Sequence, residues 1–271
     1  MEFAGRKANA VSKLDVLFQP WVGSASPSDL DAACFELTER IEGLEWVREH
    51  GDRVFRRRSD DASFVLFPAT IVVPTRPDLL SWVIAQLEAA GLDPGEIPDM
   101  QLERVLRVEP ASFQVPPFLC RDRLMRETEA HAIDVGMHPG RPDLDGDDIA
   151  AMLTAEDVLV VRERGASILS ESQWLVMAQR DDGALSWLGA GEPTFDPGAF
   201  VTREGVGQLG LGEYVVSDRT AGDLVIRGGG ALTWPWQHPA EWIQTLNGYR
   251  VAPEISLGFA GIREVITIRT P

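Results

Sequence analysis

Two histidines and a series of aspartates near the middle of the sequence are residue types that bind metal ions. His131, Asp134 and His138 stand at positions i, i+3 and i+7, a spacing that places side chains on one face of a helix. Imidazole and carboxylate groups arranged in this way can hold a divalent metal, although Gly136 and Pro139 interrupt the helix. Four further aspartates follow, Asp143, Asp145, Asp147 and Asp148, and the first three complete the candidate metal set. One hypothesis is therefore a metal-dependent enzyme that uses this cluster; the other, which we favour, is an acidic loop exposed to solvent.

The aspartate-rich segment also has part of the pattern of a calcium-binding loop. Such a loop has glycine at its sixth position and a bidentate glutamate at its twelfth. Counting from Asp143, the glycine is Gly146 at the fourth position, and Thr154 occupies the twelfth. Because both features are missing, we do not predict an EF-hand site.

Other catalytic motifs are absent from the sequence or lack their structural context. Gly205, Gly207 and Gly210 give the spacing GxGxxG, but no predicted helix follows them, as a dinucleotide site requires. No GxSxG motif occurs, and Cys34 and Cys120 each lack a CxxC partner. The sequence therefore favours a protein that is not an enzyme and that holds no cofactor.

Apolar and aromatic side chains are concentrated in two segments that could contact other protein chains. The first segment is the N-terminal arm, and the second follows a run of three glycines in the C-terminal half. Their principal members are Leu17, Phe18, Trp21, Trp234, Trp236 and Trp242. Because aromatic side chains dominate the energetics of many interfaces, we predict contacts between the subunits of a homo-oligomer. The alternative is that both segments cover the core of their own chain.

The charge of the chain limits its partners. The sequence has 42 acidic and 25 basic residues, and its formal net charge of −17 repels nucleic-acid phosphates, so we expect no nucleic-acid partner. The same charge would suit an acidic binding or immunity module for a basic protein partner. No apolar run approaches the ~20 residues that a membrane span needs, so we expect no membrane association.

The spacing of apolar residues predicts an α+β fold, with helices mainly in the N-terminal half and a glycine-rich, antiparallel or mixed sheet in the C-terminal half. We predict an arm (1–27), a helix–hairpin–helix region (28–135), an acidic loop (136–148) and a β-rich region (149–271) that can form one domain with 28–135. The predicted elements are helices over Ser28–Glu49, Phe118–His131 and Ser170–Gln179, a hairpin over Arg53–Phe67, a strand over Val158–Val161, and late strands over Tyr214–Val216, Asp223–Arg227, Tyr249–Ala252 and Glu264–Ile268.

The order of these elements resembles the coat-protein fold of tailed phages, which encapsulin shells share. An apolar arm and the helix over Ser28–Glu49 precede the hairpin, and Leu106–Val115 then runs into a polar helix. Gly165–Trp174, Asp223–Gly230 and strands within Tyr249–Ile268 follow, and the chain length is also similar. In that family the arm and an extended hairpin interlock neighbouring subunits. The resemblance implies a self-assembling shell subunit without an active site, located in the cytoplasm or within a virion.

Three hypotheses about function follow from the sequence. The first, which we adopt as the prediction, is a non-enzymatic structural subunit that assembles into a larger shell or phage-like assembly. The alternatives are the metal-dependent enzyme and the acidic module that binds a basic protein. A purified protein that stays monomeric would contradict the structural subunit. A lack of stoichiometric metal would contradict the metal-dependent enzyme, and self-association without a basic partner would contradict the acidic module.

Overall fold

The computed structural model describes residues 12–19, 26–50, 53–72, 113–135, 150–180, 205–207, 212–218, 222–227, 249–250 and 260–270. These residues form helices and antiparallel and mixed sheets, which confirms the α+β class. The helices are α1 (Asp15–Phe18), α2 (Pro27–Arg40), α3 (Glu127–His131), α4 (Ala155–Glu163) and α5 (Glu171–Arg180), with a 3-10 turn over Arg48–His50. The strands are β1 (Leu44–Trp46), β2 (Val54–Arg57), β3 (Ser63–Phe67), β4 (Thr70–Val72), β5 (Phe113–Val115), β6 (Phe118–Arg121), β7 (Gly212–Val216), β8 (Leu224–Arg227), β9 (Tyr249–Arg250), β10 (Ala260–Gly261) and β11 (Val265–Thr267). No helix within the described ranges is long and apolar enough to cross a membrane.

Helix α2 begins where the sequence provides a capping residue and ends earlier than predicted. Ser26 Oγ accepts a hydrogen bond at 3.2 Å from a backbone N–H in the first turn, and a proline occupies the first helical position. The helix ends at Arg40 rather than at Glu49, because Gly43 adopts a φ of +78° in the turn that leads into β1. Leu44 fits the helical spacing but is a buried residue of that strand, so the last part of the predicted helix is wrong.

The hairpin predicted over residues 53–67 is confirmed. β2 and β3 pair antiparallel with Phe55 opposite Phe64, and a turn at residues 58–60 joins them. β1 extends the hairpin on one side and β6 and β11 extend it on the other, which gives the order β1-β2-β3-β6-β11. Because β11 comes from the C-terminal end of the chain, this sheet contains strands from both predicted regions, 28–135 and 149–271.

Two predicted elements are of the wrong type. The segment Phe118–His131 is not one helix, because its first four residues form β6 and α3 begins only at Glu127. Every residue of β6 is buried, with Leu119 in one apolar cluster and its neighbours Phe118 and Cys120 in another, so the strand lacks the alternation that would reveal it. The predicted strand Val158–Val161 lies inside α4, which starts at a capping box between Thr154 and Asp157.

The four late strands predicted after residue 213 are confirmed where the structure describes them. Three of them, β7, β8 and β9, form a second sheet with β10 in the order β10-β7-β8-β9, whereas the fourth, β11, lies in the five-stranded sheet. β4 and β5 form a separate two-stranded ribbon. Helix α5, which confirms the prediction over Ser170–Gln179, packs against the ribbon and against β7 and β8. The predicted division into early helices and late strands is not confirmed, because β1 to β6 all precede residue 122.

Residues 12–19 of the N-terminal arm pack on their own chain. Leu17 is 1% exposed and lies in one apolar cluster with Leu37 of α2 and Phe64 of β3. Ser12 Oγ donates a hydrogen bond to Glu36 at 2.8 Å, which fixes the start of this segment to α2. The described part of the arm therefore belongs to the layer of α1 and α2 that packs on the five-stranded sheet.

We expect Leu17→Ala to lower the free energy of unfolding by about 2–5 kcal/mol, because it leaves a cavity between α1, α2 and the sheet. Urea unfolding followed by circular dichroism measures the change. Val16→Ala, at the partly buried neighbouring position, is the matched control and should cost clearly less. Equal stability of Leu17→Ala and the wild type would show that the arm leaves the core in solution.

Candidate functional site

The structure describes two of the six residues of the metal hypothesis. His131 is the last residue of α3, and Asp134 lies beyond the end of that helix with a φ of +48°; both are exposed. His138, Asp143, Asp145 and Asp147 lie outside the described residues. Within the described ranges, no three His, Cys, Asp or Glu side chains are close enough together to share a metal ion. The metal hypothesis stays a prediction, which elemental analysis of the purified protein would decide.

The structure also describes two of the six predicted interface residues. Leu17 is buried in the core of its own chain, and Phe18 is partly buried against the same cluster. The carbonyl of Phe18 accepts a hydrogen bond from Gln114 Nε2 at 3.1 Å, which joins the arm to β5. Trp21, Trp234, Trp236 and Trp242 lie outside the described residues. In this conformation Leu17 is not accessible to a second subunit, so an interface at the arm would depend on its other residues.

Two charged side chains are fully buried at the junction of the two sheets. They are Glu213 in β7 and Arg263, which lies between β10 and β11; both side chains have 0% exposure. Arg263 Nε donates to Glu213 Oε1 at 3.3 Å, Nη1 donates to the carbonyl of Arg121 at 3.1 Å, and Nη2 donates to the carbonyl of Gly207 at 2.8 Å. Because Arg121 ends β6 and Glu213 lies in β7, one guanidinium group connects both sheets.

Burial determines the electrostatics of this pair. It raises the pKa of Glu213, and the charge of Arg263 and its hydrogen bond to the carboxylate oppose that rise. An ion pair in such a place is tolerated only while both partners are present, since one charge alone would be left without solvent or counter-charge. Neither group reaches solvent, so the pair connects elements of the fold and does not face a substrate in this conformation.

A second buried pair holds the start of helix α5. Glu171 is the first residue of this helix and accepts a hydrogen bond at 2.6 Å from Nη2 of Arg227, the last residue of β8. Its other carboxylate oxygen accepts from Ser217 Oγ at 3.1 Å and from the backbone N–H of Asp218 at 3.3 Å. The backbone dipoles at a helix N-terminus also favour a negative charge there. Glu171 therefore fixes α5 to the second sheet.

The last residues of β2 and β6 are arginines that form ion pairs beyond their own strands. Arg57 of β2 pairs with Asp60 in the hairpin turn and with Glu264, next to β11. The hydrogen bonds from Arg57 hold the pKa of Asp60 below its usual value. Arg121 of β6 pairs with Glu129, so α3 is attached to the end of β6.

The described thiol groups and the side chain of Tyr214 are buried. Cys34 and Cys120 are both buried free thiols, and burial raises the pKa of the Cys120 thiol far above its usual value. Cys120 Sγ lies 3.3 Å from Met177 Sδ inside the apolar cluster between the ribbon, α5 and the sheets. Burial also raises the pKa of Tyr214 to about 12. In this conformation none of these three groups can meet a substrate from solvent.

No sequence-based prediction includes the charged residues that join the sheets, although the sequence contains a signal for them. Glu213 and Arg263 each interrupt a run of apolar residues, and a charged residue in a buried strand needs a partner. The identity of that partner cannot be derived from spacing, because Glu213 and Arg263 are 50 positions apart and Glu171 and Arg227 are 56 apart.

We expect Arg263→Met to lower the free energy of unfolding at neutral pH by about 3–5 kcal/mol, because it keeps the apolar stem but leaves the buried Glu213 without its counter-charge. Urea unfolding measures the loss. Arg269→Met removes an exposed arginine from the same terminal segment and should change stability by less than about 0.5 kcal/mol. A similar effect of both substitutions would contradict the role assigned to Arg263.

The loss in Arg263→Met should also depend on pH. Without Arg263, the pKa of Glu213 in the folded state rises further above its unfolded value of about 4.3. Above that pH the unfolded state releases the proton while the folded state keeps it, so stability falls as the pH rises. The deficit relative to the wild type should be smallest near pH ~4 and grow towards neutral pH. A deficit that is constant with pH would show that Glu213 is not the group affected.

Four ion pairs of the described residues join different elements of the fold. The buried pairs Arg263–Glu213 and Arg227–Glu171 connect the two sheets and anchor α5. The partly exposed pairs Arg57–Glu264 and Arg121–Glu129 connect the hairpin to the residue before β11 and attach α3 to β6. No protein-family model matches this chain, and no curated protein is significantly similar to it in sequence.

Proposed function

We propose that this chain is a non-enzymatic structural subunit that assembles with other copies of itself into a larger shell or phage-like assembly. The resemblance in chain order supports the shell form of the proposal. The arm and the hairpin, which could interlock neighbouring subunits, make contacts within their own chain here. Residues 12–19 pack on α2, and the hairpin over residues 53–67 lies inside the five-stranded sheet. A neighbouring subunit would therefore be reached by another segment.

The two-stranded ribbon is the observation that carries the proposal. β4 and β5 pair antiparallel with Val72 opposite Phe113, and neither strand belongs to the two larger sheets. The chain between them, residues 73–112, leaves and returns at this one pair of residues. We propose that these 40 residues contact a neighbouring subunit, because long connections between strands frequently carry binding functions.

The ribbon of β4 and β5, which residues 73–112 connect, is firmly attached to the rest of the protein. Val115 of β5 is 2% exposed and lies in the apolar cluster that also contains Trp174 and Met177 of α5. Gln114 of the same strand donates to the arm, as described above. Ile71 of β4 is 48% exposed, so the ribbon also presents an apolar side chain to solvent. Because the ribbon is anchored in this way, a contact made by residues 73–112 would hold the whole subunit against its neighbour.

The use of the charged groups supports a structural role rather than catalysis. Buried glutamates and arginines of the described residues pair with each other and join sheets and helices. The described cysteines are buried. The acidic binding module and the metal-dependent enzyme stay predictions, since the metal hypothesis rests mainly on residues outside the described ranges.

Self-association is tested by the mass of the purified protein. Light scattering coupled to size-exclusion chromatography should give a mass that is a multiple of 29.8 kDa and rises or stays constant from about 1 µM to about 100 µM protein. A single species of 29.8 kDa throughout this range would overturn the proposal.

Replacing residues 73–112 by Asn-Gly should abolish assembly while leaving the fold intact. A two-residue turn can close β4 and β5 directly, because Val72 and Phe113 are opposite each other in the antiparallel pair. We expect the shortened chain to have the mass of a monomer and a cooperative unfolding transition, measured by light scattering and circular dichroism. If the folded, shortened chain assembles like the wild type, residues 73–112 do not form the contact between subunits.

A further inference from the structure

Phe35 is a large aromatic side chain on the outer face of α2, and 61% of it is exposed. The inner face of this helix is complete without it, since Leu30, Ala33, Cys34 and Leu37 are buried. An aromatic ring at an outward helical position adds little to the stability of the fold, because it stays in water. An exposed aromatic side chain can contribute strongly to a contact with another protein where its neighbours complement that partner.

Acidic residues lie on either side of Phe35. Asp31 and Glu39 are four positions before and four positions after it on the helix, and Glu42 lies in the turn that follows Arg40, the last residue of the helix. Glu39 and Glu42 are exposed, and neither has an ion-pair partner within the part of the chain that the structure describes. We call Asp31, Phe35, Glu39 and Glu42 the Phe35 face.

One side of this face is held in a fixed arrangement. Asp31 pairs with Arg48, whose guanidinium lies over the ring of Trp46 at 4.5 Å. This stack connects α2 to the end of β1 and limits the movement of the side chains beside Phe35. A surface that is ordered before binding loses less conformational entropy when a partner docks.

The charges of the face argue against a second copy of this chain as its partner. Asp31, Glu39 and Glu42 carry three negative charges, and Arg48 beside them carries one positive charge, so the face is negative overall. Two copies packed through Phe35 would bring these net negative charges together, which opposes association. A partner with lysine or arginine side chains around an apolar pocket would instead match both the ring and the carboxylates.

We propose that the Phe35 face is the docking surface for a basic protein partner that inserts Phe35 into an apolar pocket and pairs its cations with Glu39 and Glu42. This contact is separate from the proposed assembly of the subunit through residues 73–112. It gives the acidic face of α2 a role in recognising a partner.

A synthetic amphipathic helix of about five turns, with leucine on one face and lysine on the other, is a suitable probe. Its binding to the full-length protein is measured by fluorescence anisotropy at about 150 mM salt, where weak long-range attraction is screened. We expect Phe35→Ser to weaken binding about tenfold or more. Leu159→Ser, at a 39% exposed leucine of α4, is the matched control and should leave the affinity unchanged.

Charge reversal tests the second part of the proposal. Glu39→Lys/Glu42→Lys should weaken binding of the lysine peptide more than Glu156→Lys/Glu163→Lys, which changes the net charge equally at two exposed positions of α4. Equal weakening by both pairs, or unchanged affinity in Phe35→Ser, would overturn the proposal. So would self-association of the wild type that is lost in Phe35→Ser, because the partner of the face would then be a second copy. Higher peptide affinity after removal of residues 1–11 would also overturn the proposal. Such a result would show that residues 1–11 occupy the Phe35 face in the full-length protein and compete with the peptide.

Discussion

The guanidinium group of Arg263 connects the two sheets of this protein. It contacts the carboxylate of Glu213 in β7, the carbonyl that ends β6, and the carbonyl of Gly207, so it fixes three segments of the chain relative to each other. Apolar packing between the sheets supplies most of the favourable free energy, but it is not directional. A fully buried guanidinium group is stable only where its N–H donors have hydrogen-bond partners. Several placements of the two sheets could bury similar apolar area, but this requirement favours the one placement in which those partners are present.

The buried charges of the described residues do not share the acidity of the whole chain, whose formal net charge is −17. The interior contains arginines that are matched with glutamates, as in the pairs Arg263–Glu213 and Arg227–Glu171. Acidic side chains without such partners, including Glu39 and Glu42, lie at the surface of the described residues. The buried arginines thus serve the fold, while Glu39 and Glu42 stay exposed to solvent.

Local sequence signals predicted several elements correctly. The hairpin over residues 53–67, helix α5 and the C-terminal strands β7, β8 and β11 each combine a clear periodicity with turn residues at their ends. The errors share a physical cause. The strand β6 is buried on both faces and has no alternation, and the β-branched residues of α4 favour a strand although the capping box at Thr154 starts a helix. For the candidate sites, spacing identified aromatic and acidic segments but not the paired charges in the core.

The sequence by itself determined the α+β class, the absence of a CxxC or nucleophile motif and the strong acidity, because these depend on residue types and on neighbours within a few positions. Only the tertiary structure decided that Glu213 pairs with Arg263, that β11 completes a sheet begun near residue 44, and that the arm at Leu17 packs on its own chain. These features join residues that are from tens to hundreds of positions apart. Their energy comes from burial and from partners that the fold brings together, and no local pattern of residues records which partners those are.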